Sequence, residues 1–318
     1  MPYASKQRNE TYARHNTPDV GVKAARLRFV HYTSAEAALN IIRTKRLWMR
    51  NAVCMADYRE VQHGFDIFNR FFLAHAKLNG FIAALDDPAQ GAALEAINAF
   101  RQRWNTIRFD TFIASVSEHD RDEDLHGRLS MWRGFGGNAA RIAMVFSIPW
   151  FSGVSSVLNI LFSPVAYLKE DQVHRVLDEV ADNVRANREF LKSCGRQVVV
   201  DWVFTMLLGG VTCLKHEGFH EEREWRAIYG LRRRPSKMIE SSTETVNGIP
   251  QRICKIPLDA TASTTLSDID FSRIFDRLII GPSQYSWPMY EAFTDGLAKS
   301  GVVNPTERVC ISGIPIRT

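Results

Sequence analysis

Apolar and polar positions alternate over residues 27–32 (LRFVHY), the period of a half-buried strand. Ser34 follows as a helix N-cap, with Ala35, Ala38, Leu39 and Ile42 at helical spacing behind it. Leu47-Trp48-Met49 reads as a short buried strand or turn. From Asp57 the period changes to that of a helix, with Val61, Phe65, Phe68, Phe72 and Leu73 on one face. A further amphipathic helix is expected over residues 88–103.

Alternation returns over 109–117 (FDTFIASVS), and again over 140–147 in a strand expected to pair with it. Between them lie an acidic loop at 118–124 and a short helix at 128–135, halted by Gly134, Gly136 and Gly137. Further strands are expected at 161–168, 224–229, 252–256, 277–280 and 308–311, and helices at 171–192, 196–208 and 286–299. The stretch 232–250 (RRRPSKMIESSTETVNGIP) reads as an exposed, mobile loop, and residues 1–19 as a flexible arm. Helices interrupt the strands without βαβ regularity. The expected class is therefore α+β, a mixed or split antiparallel sheet with inserted helices, in one catalytic domain over 20–318.

Composition adds modest constraints. A chain of 318 residues, 45% hydrophobic and 24% charged, is ordinary for a globular protein and excludes wholesale disorder. The charge of +5 and pI near 9.0 permit a polyanionic partner without requiring one. Basic residues gather at Arg26/Arg28, Lys45/Arg46/Arg50 and Arg232-Arg233-Arg234, and each cluster reads first as a solvated face. The five cysteines have no zinc or disulfide spacing and read as buried thiols in a reducing compartment. With a polar N-terminus and no apolar run long enough for a bilayer, the expected location is the cytoplasm, with no membrane partner.

There is no P-loop, dinucleotide-type glycine motif, GxSxG elbow or HExxH, so chemistry must come from other groupings. His31-Tyr32-Thr33 ends the first strand, where ring nitrogens and hydroxyls can orient a sugar; the alternative is a half-buried histidine with turn residues. In the segment Glu222-Arg223-Glu224-Trp225-Arg226, strand alternation would put Glu222, Glu224 and Arg226 on one face. Arg226 would offset the repulsion of the two carboxylates, one of which could act as a general base. A charged, solvated edge strand is the other reading. Trp132 in Ser130-Met131-Trp132 is either core or an aromatic surface for a flat ring. Asp57 and Glu60 fit a helix N-cap and capping box around Tyr58.

Together His31-Tyr32-Thr33, Leu47-Trp48, Asp57 and Glu60, Val116-Ser117-Glu118, Ser130-Met131-Trp132, Lys215 and Glu222–Arg226 resemble the pattern of an uncharacterised bacterial domain family, over residues 27–281. Ala56 stands where that family carries Asn. More distantly, the order of parts is similar to the ADP-ribosyltransferase superfamily. That resemblance implies an ADP-ribosyltransferase-like fold and NAD as substrate, with no metal. It implies His31 on the NAD ribose, Tyr32 or Thr33 beside nicotinamide, Glu224 as the catalytic carboxylate and Glu222 activating the acceptor. Trp132 and Tyr58 compete for the nicotinamide-packing aromatic, and Arg226 joins the cofactor-binding set. Loss of nicotinamide develops an oxocarbenium-like cation, which a carboxylate stabilises.

The function so implied is NAD-dependent ADP-ribosyl transfer to a macromolecule, as a toxin or anti-phage effector. The basic pI favours RNA or DNA over protein as acceptor. A toxin also brings a neutralising antitoxin as a partner to look for. Two other functions compete: a metal-independent nuclease or phosphodiesterase using His31 and Glu224 as acid and base, and a non-catalytic nucleic-acid-binding module working through Arg232–Arg234.

Overall fold

The first strand runs from Arg26 to Ser34, and the Ser34 hydroxyl accepts from the Ala37 amide at 3.2 Å to cap the helix Ala35–Thr44. This local grammar holds along much of the chain. The computed structural model describes residues 26–55, 58–134, 140–149, 154–246, 248–261 and 263–315. The N-terminal arm expected over 1–19, and the proposed cap at Asp57, lie outside the described residues.

The strands are β1 (Arg26–Ser34), β2 (Arg46–Asn51), β3 (Thr111–Glu118), β4 (Arg141–Pro149), β5 (Leu161–Pro164), β6 (Ala166–Tyr167), β7 (Leu214–Lys215), β8 (Glu224–Gly230), β9 (Glu240–Val246), β10 (Ile249–Pro257), β11 (Phe275–Ile280) and β12 (Val309–Ile311). The architecture is α+β with a mixed, open sheet and many helices. By contact density the chain divides into two compact units, one taking residues 51–111 and 163–220, the other 19–50, 112–162 and 221–318, as far as these are described.

The second unit is built on the large sheet, ordered β12-β11-β4-β1-β3-β2-β10-β9, with β8 joined to β3 and β5 joined to β8. Most pairings are antiparallel. The exception among those with a described register is β11–β12, parallel across the helix Ser286–Lys299, as a crossover requires. Ile142, Met144, Phe146, Leu278 and Ile280 pack on one face with Ile42, Phe271 and Leu297. Val30, Tyr32, Ala143, Val145 and Ile279 pack on the other with Met131 and Trp132.

The first unit is helical around the small parallel pair β6–β7. Phe68 and Phe72 of the helix Tyr58–Leu73 are buried, as their spacing predicts, whereas Leu73, expected on the same face, is exposed at the helix end. Phe65 stacks on Trp104 with ring centroids 4.1 Å apart. A side chain at Gly64 would meet the Val211 carbonyl at 2.5 Å, so glycine is what lets these helices approach.

Three expectations are corrected. Residues 109–117 are not all strand: Phe109 and Asp110 finish the helix Trp104–Asp110, which buries Trp104 and Ile107 at helical spacing. The strand at 140–147 does not pair with the one before it. It pairs instead with β1, from Arg26↔Pro149 to Ser34↔Arg141, and with β11, because β1 stands between it and β3. Finally, the segment 232–250 holds β9 and the start of β10, an antiparallel pair in which Lys255 bridges to Glu244 at 2.9 Å. Polar composition suggested a loop there, but backbone pairing at a sheet edge needs no apolar face.

None of the five cysteines is in a disulfide; Cys213 and Cys254 are buried, whereas Cys54, Cys194 and Cys310 are half-buried. Among the described residues no helix is long and apolar enough to cross a membrane.

Candidate active site

Strand β8 enters through a kink. Arg223 has φ +43°, in the left-handed region a non-glycine residue rarely adopts. Its guanidinium pairs with Asp120 and with Glu123 at 2.5 Å, and these contacts hold the bend. The strand therefore begins at Glu224, while Glu222 ends the 3-10 turn Glu217–Glu222. The predicted alternation of Glu222 with Glu224 is broken there, and Glu222 does not share the strand face. Its carbonyl accepts from Arg128 at 3.2 Å.

Beyond the kink the alternation holds. Trp225 packs edge-on against Phe29 of β1, with centroids 5.4 Å apart, and its indole N–H donates to Glu118 at 2.8 Å. Glu224 and Arg226 project to the opposite face. There Arg226 grips Glu224 through two parallel bonds, Nε to Oε1 at 2.7 Å and Nη2 to Oε2 at 3.0 Å. Both residues are buried, the carboxylate 6% and the arginine 2% exposed, so this pair is fully formed rather than loosely tethered.

The triplet His31-Tyr32-Thr33 is divided between the two faces. His31 and Thr33 lie on the side of Phe29, two and four residues on, and so face away from Glu224. His31 Nδ1 donates to the Ser115 carbonyl at 2.9 Å, and burial holds the ring below the usual histidine range against that hydrogen bond. It is therefore neutral, with Nε2 as the acceptor. Tyr32 lies on the face of Glu224. Its hydroxyl accepts from the Arg128 amide at 2.8 Å, and burial pushes its pKa up to about 12.

Trp132 takes the core alternative. It is wholly buried, its ring edge-on to Tyr32 at 5.0 Å and its N–H donated to the His126 carbonyl at 2.7 Å. Gly127, at φ +65°, passes so close that a Cβ would meet the indole at 2.8 Å. No ring face of Trp132 is open to a ligand. Tyr58 opens a helix of the other unit, and its side chain lies outside the described residues.

An ionic network at the end of β3 went unread in the sequence. Arg28 binds Asp124 at 2.7 Å and Asp276 at 2.6 Å. His119 Nε2 lies 2.9 Å from Asp124, Arg277 reaches the same carboxylate at 3.4 Å, and Arg128 meets Glu123 at 3.0 Å. Burial alone would raise the Asp124 carboxyl, but hydrogen bonds from Arg28 and His119 and the charge of Arg277 pull it below its ordinary range. Burial depresses His119 despite its bond to Asp124, and the Arg28 charge adds to that. Arg28 is thus no solvated face. The available signal was the run Glu118-His119-Asp120-Arg121-Asp122-Glu123-Asp124 directly after a strand, too dense in charge for an idle loop.

The arrangement offers a buried, guanidinium-oriented carboxylate on an internal strand, next to a network that holds the strand's entry rigid. Among the described residues no three His, Cys, Asp or Glu side chains are grouped to hold a metal ion. A sequence model of a family described as a protein of unknown function (DUF2971) matches residues 131–227, from just before Trp132 to just past Arg226. This supports the likeness to an uncharacterised domain family over that segment, and the description states no activity. Comparison with curated proteins and with solved structures finds no match.

Proposed function

We propose that the chain is an NAD-dependent ADP-ribosyltransferase with an ADP-ribosyltransferase-like fold, acting on a macromolecular acceptor, nucleic acid ahead of protein, as a toxin or anti-phage effector. One observation carries the reading: Glu224 is a buried carboxylate held at both oxygens by Arg226. Cleavage of the nicotinamide–ribose bond builds positive charge on the ribose, and a preorganised carboxylate stabilises it without reorganising at the moment of reaction. Arg226 holds the Glu224 carboxylate in one orientation through two hydrogen bonds, and that carboxylate faces the developing charge. Tyr32, on the same face, replaces His31 as the residue of the triplet able to meet the ribose beside Glu224.

The nuclease reading is weaker, because it needs His31 and Glu224 as acid and base on one group while they face opposite sides of the sheet. In the proposed function Glu224→Gln abolishes NAD cleavage and transfer, measured as nicotinamide release and label incorporation into cell extract. The variant keeps the wild-type circular dichroism, because Gln is isosteric, while its unfolding midpoint falls because the buried Arg226 charge loses its counter-charge. Undiminished nicotinamide release by this variant would remove Glu224 from the reaction.

A further inference from the structure

A cleft of 540 Å³ opens in the second unit where β1 begins, β4 ends and β11 begins. Arg28, Arg121, Arg273, Arg277 and Arg308 line it, against two carboxylates, Asp124 and Asp276. The convergence has a local cause. Successive strand residues normally point to opposite faces, but β11 bulges between Phe275 and Arg277, which pair with Phe146 and Val145. The bulge lets Asp276 and Arg277 both line the cleft.

Both carboxylates are already engaged, Asp124 by Arg28, His119 and Arg277, and Asp276 by Arg28. Arg121, Arg273 and Arg308 line the same cleft, Arg273 donating to the Ser267 carbonyl at 3.1 Å and Arg308 to the Phe275 carbonyl at 2.7 Å. Arg28 Nη1 and Arg277 Nε are buried with no hydrogen-bond acceptor. Holding this much like charge in one concavity is unfavourable until an anion enters.

We infer that this cleft is a binding site for a compact phosphate-bearing ligand, of the size of a diphosphate ester, which no residue of the Glu224 site serves. Guanidinium groups match phosphate oxygens two at a time, which lysines do not. The volume lies within the range of small-molecule sites. Only Ile274 and Phe275 give it an apolar wall, so recognition falls on the phosphates rather than on a base. The arginines converge in a pocket rather than along a stripe, which favours a small polyanion over a nucleic-acid backbone.

The test uses the full chain and isothermal titration with inorganic pyrophosphate, ADP and a short single-stranded RNA. Pyrophosphate and ADP are expected to bind, and Arg121→Gln and Arg273→Gln each to weaken both by about tenfold. Arg121 is exposed, so its unliganded variant keeps the wild-type melting temperature. Glu224→Gln binds pyrophosphate as the wild type does, which separates this site from the catalytic reading. No pyrophosphate binding, or binding indifferent to both arginine substitutions, overturns the inference. So does tight RNA binding lost in these variants without measurable pyrophosphate affinity, which would make the cleft a nucleic-acid surface.

Discussion

Two groups of charges in the same unit are built on opposite plans. The Glu224–Arg226 pair is bidentate and buried. The cleft around Arg28 carries five guanidinium groups on two carboxylates and is open. A buried, bidentate contact fixes one carboxylate in place, as a reacting group requires. An over-charged, wet cleft keeps capacity for something that arrives from solution. Burial, more than residue type, separates a positioned group from a receptor.

The comparison breaks most visibly at Arg226. Arg226→Met removes the bidentate contact to a buried carboxylate and is expected to destabilise the protein by about 3–5 kcal/mol, measured by urea unfolding. A loss below about 1 kcal/mol would mean that the pair is not the buried, bidentate unit described. Asp124 stands at the border of the two regions, about one-fifth exposed. Asp124→Asn keeps its shape but removes the charge shared by Arg28, His119 and Arg277. The expected loss is about 1–3 kcal/mol, together with tighter pyrophosphate binding in the cleft; weaker binding would contradict the picture of a carboxylate that competes with the ligand.

The smallest effect is on pH dependence. His31 and His119 both have folded pKa values below their usual 6.5, chiefly through burial. Their contribution is therefore complete above that value and is lost as pH falls through the window beneath it, where the unfolded chain takes up protons that the folded one refuses. The urea midpoint is expected to fall between about pH 7 and pH 5. The slope should lessen in His31→Asn, whose amide can still donate to the Ser115 carbonyl. Asp124 acts in a lower window: its depressed pKa gives stability above the ordinary carboxylate range that disappears in stronger acid. A midpoint flat across the upper window would show that neither histidine is kept neutral by burial.

Local signals were legible without coordinates. The Ser34 cap, the strands at 27–32, 224–229 and 277–280, and the helix at 286–299 follow from side-chain spacing within one element. The placing of Arg226 beside Glu224 also follows, because two residues apart on a strand is a short-range fact. Position across the sheet is different in kind. Strand alternation states that His31 and Glu224 each have a face, but not which faces coincide, since that depends on how β1, β3 and β8 are ordered and on the packing of Trp225 against Phe29. The left-handed turn at Arg223, which removes Glu222 from the strand, is held by Asp120 and Glu123 about a hundred residues earlier. The cleft likewise gathers arginines from Arg28 to Arg308. Periodicity decides which way a side chain points from its own backbone; only tertiary packing decides what it meets, because charges separated by most of the chain have no sequence signature until the sheet brings them together.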